Sequence, residues 1–445
     1  MIVLKFGGTS VQDSSSMNRA LAITAERIDK APVLISSAMA KITDSLIETT
    51  VEAVAGNGKR ALEIVDAIKE RHLKCAYEFL KGKNLDYAGS RINEIITELR
   101  SILRGCAYLK ECSPQSYDAV ISCGELLSTV LLHARALEMG IDAVWLDSRQ
   151  LIKTDSVYGE AAVDFDATAA AVRNAISPQP GRLYIAQGFI GSDSNSLTTT
   201  LGRGGSDYTA AIFGSILDAQ EIQIWTDVNG IMTTDPRLVP EAKTINEISY
   251  EEAAELAFFG AKVVHPATIQ PAVSKKIPVT VLNTRDPEGI FTRIAEKTAY
   301  EGLKAISGKK NVTLVTVVSS RMMNAVGFLA RLFAIFQDHN TSVDLVSTSE
   351  VSVSMTINKT DKLAEIRTDL EKLGSVSVGE DKAIVCLVGK GIWKDSRNIT
   401  KAFAALEGTN IRMISLGASD TNLSALVPSH KLNEAIVALH KAFFG

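Results

Sequence analysis

The feature that most constrains this chain is the alternation of short β-branched runs with longer helical patterns over its first 295 or so residues. Four such runs lie at 33–36, 119–122, 143–146 and 222–225. Parallel strands must be joined by crossovers, most often helices, so the alternation predicts a mostly parallel sheet covered by helices. Residues 45–110 are instead rich in Ala, Leu, Glu and Lys, which predicts a helical hairpin attached to this α/β body.

The predicted pattern of strands and helices changes after Asp286-Pro287-Glu288-Gly289, a sequence typical of a turn. Short strands and amphipathic helices follow in the order of a βαββαβ unit, and a second copy of that order ends without its last strand. The first copy comprises strands 311–319, 342–348, 351–357 and 375–378 with helices 327–337 and 362–373; the second comprises strands 383–389, 411–416 and 422–428 with helices 398–407 and 431–444.

These patterns divide the chain into an α/β domain over residues 1–295 and two α+β ferredoxin-like units over 303–380 and 381–445. We predict that residues 303–307 contribute a strand to the second unit, which lacks one of its own. The total of 445 residues fits two or three domains of roughly 100–200 residues each.

Composition excludes several classes of protein. The net charge of -4, from 47 basic and 51 acidic side chains, gives no basic field for nucleic acid or anionic lipid. The five cysteines form no CxxC pair, so we expect reduced thiols rather than disulfides or a zinc site. No signal peptide or run of about 20 apolar residues is evident, so we expect a cytoplasmic protein without a membrane span.

Two glycine-rich segments are candidates for binding anions. In the first, a strand ends at Lys5 and Phe6 and is followed by Gly7 and Gly8, whose backbone N–H groups can approach phosphate oxygens; a tight turn fits the pair equally well. A lysine at the end of a buried strand needs solvent or an anion, and a transferring phosphoryl group is such an anion.

The second segment, residues 198–208, adds polar groups to the same pattern. Arg203 offers a planar fork for a carboxylate, and Asp207 can orient a substrate or balance charge. The alternative is a solvated loop in which Ser206 and Asp207 cap the next helix, and both descriptions can hold at once.

Four further polar residues are ambiguous on their own. Glu125 follows the predicted strand 119–122, where a carboxylate can bind a substrate ammonium or simply favour a helix's first turn. Thr43 fits an N-cap hydroxyl or a substrate contact, and Thr226 with Asp227 would alone be a strand end and turn.

Taken together, these segments resemble the aspartokinase branch of the amino-acid kinase family, and most closely its single-function, lysine-sensitive type with two C-terminal ACT domains. The resemblance covers nearly the whole chain and implies a three-layer sandwich for the catalytic domain. The motifs that carry it lie at 5–11, 124–125, 199–207, 225–228, 259–266 and 342–345.

The resemblance implies ATP-dependent phosphorylation of the side-chain carboxylate of L-aspartate to 4-phospho-L-aspartate, the first step toward lysine, threonine and methionine. Mg²⁺ is expected through the nucleotide phosphates, without protein metal ligands. By this resemblance Lys5 and Asp207 are catalytic, aspartate is bound by Thr43, Glu125, Arg203 and Ser206, and the nucleotide is bound by Lys5, Gly7, Gly8, Thr226, Asp227, Arg237 and Lys262.

ACT domains in this family bind lysine and pair subunits, which implies an amino-acid effector and a homodimer or tetramer. For Phe328 and the other apolar residues of the implied effector pocket, packing in the hydrophobic core is the alternative interpretation. The carboxylate of Asp344 instead suits the binding of a cationic amino acid. The implied effector pocket comprises Met322, Phe328, Leu329, Ser342, Val343, Asp344, Ser349 and Glu350.

Some residues depart from the family pattern. Lys41 stands where a glycine is usual before Thr43, Met232 replaces a tyrosine near the nucleotide base, and Asn324 and Val326 differ in the sensor loop. Two other functions compete with aspartate kinase: a kinase for glutamate or another small carboxylate, and a non-catalytic amino-acid sensor.

Overall fold

The computed structural model describes residues 1–260, 264, 266–323 and 325–445, without the side chain of Trp393. The chain forms two compact units. The first comprises Met1–Ile231, Asn246–Tyr250 and Val264–Lys297; the second comprises Met232–Ile245, the described residues from Glu251 to Gly260, and Thr298–Gly445.

The first unit is built on an eight-stranded sheet in the order β3-β4-β2-β1-β7-β9-β10-β8, in which only the β9–β10 pair is antiparallel. A separate hairpin is formed by β5 and β6. The strands are β1 (Ile2–Phe6), β2 (Val33–Ser36), β3 (Asp142–Trp145), β4 (Arg182–Gln187), β5 (Ile190–Ser192), β6 (Thr198–Thr200), β7 (Glu221–Thr226), β8 (Glu247–Ser249), β9 (Val279–Asn283) and β10 (Thr292–Ala295).

Helices pack on this sheet, and β1 and β2 are buried along nearly their whole length, as expected of central parallel strands. The mostly parallel α/β fold predicted from the sequence is confirmed. The helices are α1 (Ser14–Ala25), α2 (Ile42–Val54), α3 (Gly58–Phe79), α4 (Gly82–Leu109), α5 (Pro114–Glu138), α6 (Ser148–Leu151), α7 (Phe165–Ala175), α8 (Gly205–Ile216), α9 (Tyr250–Phe258, in the second unit from Glu251 onward) and α10 (Pro266–Ser274).

The predicted strand at 119–122 is wrong, because these residues lie within α5. Ser113 caps this helix by accepting a hydrogen bond from Ser116 N at 3.1 Å, and Pro114 occupies its first turn. By length and composition α5 could cross a membrane, but 83% of its most apolar window is buried inside the protein. A helix buried on nearly all sides has no polar stripe, so its apolar run resembles a strand in the sequence.

The second unit contains a six-stranded antiparallel sheet in the order β12-β13-β11-β14-β16-β15. Its helices cover two separate apolar cores, one for each predicted repeat. The elements are β11 (Ala305–Val318), α11 (Phe328–Asp338), β12 (Val346–Thr348), β13 (Ser352–Ile357), α12 (Leu363–Glu371), β14 (Ser375–Val388), α13 (Ser396–Ala405), β15 (Met413–Leu416), β16 (Asn422–Pro428) and α14 (Leu432–Phe444).

The two repeats share their longest strands. Ala305 and Ile306 at the start of β11 pair with Val388 and Leu387 of β14, so the strand that the second repeat lacks comes from ahead of the first. The segments 375–378 and 383–389, predicted as separate strands, are joined in the single strand β14. They remain one strand because both halves find partners in β11, across register shifts between Lys309 and Leu314.

Candidate active site

A cavity of about 430 Å³ opens in the first unit, at the edge where β1 and β2 end. Open parallel sheets bind ligands at the carboxyl ends of their strands. The lining brings together all six predicted catalytic and aspartate-binding residues with eleven neighbours: Lys5, Gly8, Ser37, Ala38, Met39, Ala40, Lys41, Thr43, Asp44, Glu125, Phe189, Gly202, Arg203, Gly204, Gly205, Ser206 and Asp207.

An ion pair lies in this cavity. Lys5, on β1, places Nζ 2.7 Å from Oδ1 of Asp207 in the first turn of α8, and the two side chains are only 12% and 14% exposed. A nearly buried cation would be costly without a partner, and the carboxylate compensates it. The pair therefore keeps a charged ammonium ready at the end of the strand, with a carboxylate beside it.

The two N-terminal glycines, Gly7 and Gly8, have different structural roles. The N–H of Gly7 donates to the carbonyl of Trp225 at 3.1 Å, so this group joins β1 to β7 and is not available to a phosphate. Gly8 lines the cavity, and a Cβ there would lie 2.9 Å from the carbonyl oxygen of Ala38. Of the predicted cradle, only Gly8 therefore faces the space where an anion would bind.

Glu125 is a buried carboxyl group directed into the cavity from α5. Burial raises its pKa to about 8, against a smaller opposing effect of a backbone hydrogen bond with Ala38. Its Oε2 has no hydrogen-bond partner within the part of the chain that the structure describes. Gly124 lets α5 approach closely, since a Cβ there would lie 2.8 Å from Cβ of Ala38. A buried, unsatisfied carboxyl oxygen suits an incoming ammonium group.

The raised pKa of Glu125 predicts a pH-dependent affinity for an amino-acid substrate. The free enzyme must lose a proton from Glu125 to pair with an ammonium, so affinity falls as pH drops through the folded-state pKa of about 8. We expect KM for aspartate to rise about tenfold per pH unit from roughly pH 8 down to pH 6. In Glu125→Gln we expect KM for aspartate to be high and independent of pH over this range. The control Glu111→Gln, at an exposed position, should show the same pH dependence of KM as the wild type. A flat wild-type profile would contradict an ammonium partner for Glu125.

The glycine loop before α8 presents Arg203 and Ser206 to the cavity. Gly202 and Gly204 adopt positive φ of 72° and 76°, which only glycine does readily. Arg203 is exposed and makes no ion pair with a described residue, so its guanidinium can donate two hydrogen bonds to a carboxylate. The hydroxyl of Ser206 accepts a hydrogen bond from Ser37 Oγ at 3.0 Å, and Thr43 lies in the first turn of α2.

A buried carboxylate behind the glycine loop was missed in the sequence. Asp118, on α5, accepts hydrogen bonds from Thr200 N at 2.8 Å, from Thr200 Oγ1 at 2.9 Å and from Gly159 N at 2.9 Å. These bonds fix the end of β6 just before Gly202. Asp118 directly precedes the run 119–122, whose pattern predicts a strand, so no sequence feature directs its side chain toward this loop.

Two other lining residues adopt left-handed backbone conformations. Phe189 has φ of 72° and Lys41 has φ of 68°, and such values are rare for bulky side chains. A positive φ explains why glycine is usual at position 41 in the family. In this chain the residue there is Lys41, at the N-cap of α2. Lys41 departs from the family pattern in the sequence, whereas no sequence feature identifies Phe189 or Ser37 as residues of the site.

The residues predicted to bind nucleotide are only partly assembled in the first unit. Thr226 ends β7 beside β1, and its hydroxyl donates to Asp227 Oδ1 at 3.2 Å. Arg237 belongs to the second unit, where its guanidinium pairs with Asp235 at 2.6 Å. Lys262 lies outside the described residues. Met232 also belongs to the second unit, where it bridges to Thr244.

The predicted effector residues lie in the first repeat of the second unit. The side chain of Asp344 is 3% exposed and pairs with Lys309, whose Nζ is 3.1 Å from Oδ2. Phe328 is 4% exposed and packs in the core of the repeat, so the core alternative describes its ring. Met322 and Val343 are partly buried against that core, whereas Leu329, Ser342, Ser349 and Glu350 are exposed. Val326 is exposed and Asn324 lies outside the described residues.

Comparisons with known proteins identify the families that the two parts of the chain resemble. A model of the amino acid kinase family matches residues 1–283, and a model of the ACT domain matches residues 315–364 and 385–443. The lysine-sensitive aspartokinase 3 of Escherichia coli (strain K12) is 39% identical over 100% of this chain and 99% of its own.

Two solved structures of aspartokinase III from E. coli, each 39% identical, match over the whole of both chains. The complex with aspartate and ADP (R-state) gives a TM-score of 0.86, and the complex with lysine and aspartate (T-state) gives 0.78.

Proposed function

The chain belongs to the amino acid kinase family, in its aspartokinase branch, and on this premise we propose that it transfers the γ-phosphoryl group of ATP to the side-chain carboxylate of L-aspartate. One observation carries the proposal: a single cavity holds Glu125, which can accept hydrogen bonds from an ammonium group, Arg203, which can donate hydrogen bonds to a carboxylate, and the Lys5–Asp207 pair. These are the groups that a zwitterionic dicarboxylate and a phosphoryl group require.

Each end of aspartate has a partner in this scheme. Glu125, once ionised, pairs with the α-ammonium, and the fork of Arg203 takes a carboxylate. Ser206 and Thr43 supply hydroxyl donors that fix the orientation. Positioning of this kind converts a bimolecular encounter into a nearly unimolecular one, which is worth several orders of magnitude in rate.

The chemical step needs no general base, because the β-carboxylate is already an anion at neutral pH. One of its oxygens attacks the γ-phosphorus in line, the new O–P bond forms as the bond to the β–γ bridging oxygen breaks, and ADP leaves with that electron pair. Lys5 stabilises the charge on the transferring group, and Gly8 lets the backbone approach it. The product is 4-phospho-L-aspartate.

The donor set fits Mg²⁺ carried by the nucleotide phosphates. No protein metal ligand is predicted from the sequence, but magnesium often binds through one or two carboxylates together with phosphate oxygens, and Asp207, the ion-pair partner of Lys5, is the carboxylate in this cavity that would hold it. The metal would neutralise charge on the β- and γ-phosphates. The predicted nucleotide residues remain Lys5, Gly7, Gly8, Thr226, Asp227, Arg237 and Lys262.

The two competing functions give different results in a substrate panel. Purified protein with Mg-ATP is supplied with aspartate, glutamate or no amino acid, and ADP is measured in each case. We expect ADP with aspartate only. Turnover with glutamate would identify the other amino-acid kinase, and amino-acid binding without ADP would identify a non-catalytic sensor.

We also propose L-lysine as a feedback inhibitor, since the E. coli relative is lysine-sensitive and its T-state complex contains lysine. Asp344 supports this proposal because its buried carboxylate lies among the residues implied for the effector. A coupling of about 1–3 kcal/mol between sites would suffice for inhibition.

Replacement of Asp344 tests this site. In Asp344→Asn we expect the lysine concentration for half-inhibition to rise at least about tenfold, because a charged hydrogen bond to the effector is lost. Inhibition is measured relative to each variant's own rate without lysine. Asp338→Asn, an exposed aspartate at the end of α11, is the matched control. Equal sensitivity of the two variants would exclude Asp344 from the effector site.

A homodimer through the first repeat fits its exposed apolar edge. All three residues of the edge strand β12 are exposed, Val346 among them, and α11 of the same repeat also exposes the apolar side chains of Leu329 and Phe333. Light scattering of the purified protein distinguishes dimer from tetramer.

The five free thiols support a reducing, cytoplasmic location.

A further inference from the structure

Lys309 forms an ion pair with Asp344, the carboxylate of the proposed effector site. Its Nζ lies 3.1 Å from Oδ2 of Asp344, and no hydrogen bond to that oxygen comes from the rest of the described chain. The Asp344 side chain is 3% exposed and that of Lys309 is 19% exposed. Asp344 is therefore a buried charge whose described counterion is supplied by the chain itself.

The ammonium of Lys309 is held from a second side. It lies 4.2 Å from the ring centroid of Phe258 at the end of α9, a distance at which cation and ring attract each other. Two residues earlier on β11, Ser307 Oγ donates to the carbonyl of Phe259 at 2.7 Å. The lysine is also beside the register shift that begins after position 309, where β11 departs from regular pairing. The ammonium of Lys309 therefore has a second attractive contact besides Asp344.

We propose that Lys309 is a built-in competitor for the ammonium group of the effector, and that it sets the affinity of the site for a cationic amino acid. One carboxylate cannot neutralise two ammonium groups at close range, because like charges repel strongly in a site of low dielectric. An incoming lysine therefore binds Asp344 only by displacing the Nζ of Lys309. This inference rests on the proposed effector site at Asp344.

Displacement is feasible because Lys309 retains a partner when it leaves. The Phe258 ring still attracts its ammonium, and the partial exposure of the side chain gives water access to it. The motif 259–266, part of the family resemblance, begins directly after Phe258.

Calorimetric titration of L-lysine into the full-length protein tests the competition. Lys309→Met keeps the length of the side chain and removes its charge, and we expect Kd for lysine to fall about tenfold or more. Lys310→Met is the matched control, since this neighbouring lysine is exposed, and its Kd should equal that of the wild type.

Removal of the counterion could prevent folding by leaving Asp344 buried and unpaired. Lys309→Gln covers this case, because its amide still donates a hydrogen bond to Asp344 without a competing charge, and it should also bind lysine more tightly. Neutral variants at 309 that bind lysine no more tightly than Lys310→Met would overturn the proposal.

Aspartate-dependent ADP formation is measured on the same preparations. Its absence would refute the kinase function, while the lysine titrations would still decide the role of Lys309.

Discussion

Lys5→Ala is expected to lower kcat about 10³-fold while KM for Mg-ATP changes by less than about threefold. The ammonium lies at the end of β1 in the cavity, paired with Asp207 at 2.7 Å, where it can stabilise charge that develops on the transferring phosphoryl group. Loss of one preorganised donor for such charge typically costs 10²–10³-fold in kcat, and a full charge belongs at the upper end. Steady-state kinetics with aspartate and Mg-ATP varied separately measure the effect.

The matched control is Lys59→Ala, which removes an exposed lysine from the first turn of α3. Thermal melting of both variants checks that Asp207, left without its partner, does not unfold the protein. A loss shared equally between kcat and the affinity for Mg-ATP would reassign Lys5 to ground-state nucleotide binding.

Arg203→Ala should lower kcat/KM for aspartate about 10²–10³-fold. Two charge-assisted hydrogen bonds to one carboxylate would be lost, each worth roughly 1.5–3 kcal/mol. The loss should appear mainly in KM for aspartate, with KM for Mg-ATP nearly unchanged. Because Arg203 is exposed and makes no ion pair with a described residue, its removal should leave the fold intact.

Two further variants separate geometry from charge at this position. Arg203→Lys keeps the charge but lacks the planar fork, so an intermediate loss of about tenfold is expected. Arg104→Ala, an exposed arginine on α4, should behave as the wild type. If Arg203→Ala and Arg104→Ala have the same kcat/KM for aspartate, Arg203 does not bind the substrate.

Much of the fold follows from the sequence because strand and helix periodicities survive in it. The runs at 33–36 and 222–225 are strands β2 and β7, and the repeat pattern after Gly289 gives the helices and strands of the antiparallel sheet. The failure at 119–122 has a physical cause: α5 is buried on nearly every side, so its polar face, the usual mark of a helix, is missing.

The candidate site was predicted better by its motifs than by its local structure. Lys5, Glu125, Arg203 and Asp207 do line one cavity, although Glu125 reaches it from the middle of a helix and not from a strand end. Residues that act through three-dimensional contacts, such as Asp118 behind the glycine loop, carry no local signal. The pairing of Asp344 with Lys309 joins positions 35 residues apart and likewise has no mark in the sequence.

The most direct test of the account is aspartate-dependent ADP release from Mg-ATP by the purified protein, with the acyl phosphate trapped by hydroxylamine, with and without L-lysine. We expect hydroxamate and ADP in equal amounts, both suppressed by lysine. ADP and hydroxamate without suppression would retain the kinase and contradict the effector site at Asp344, whereas the absence of aspartate-dependent ADP would contradict the central claim.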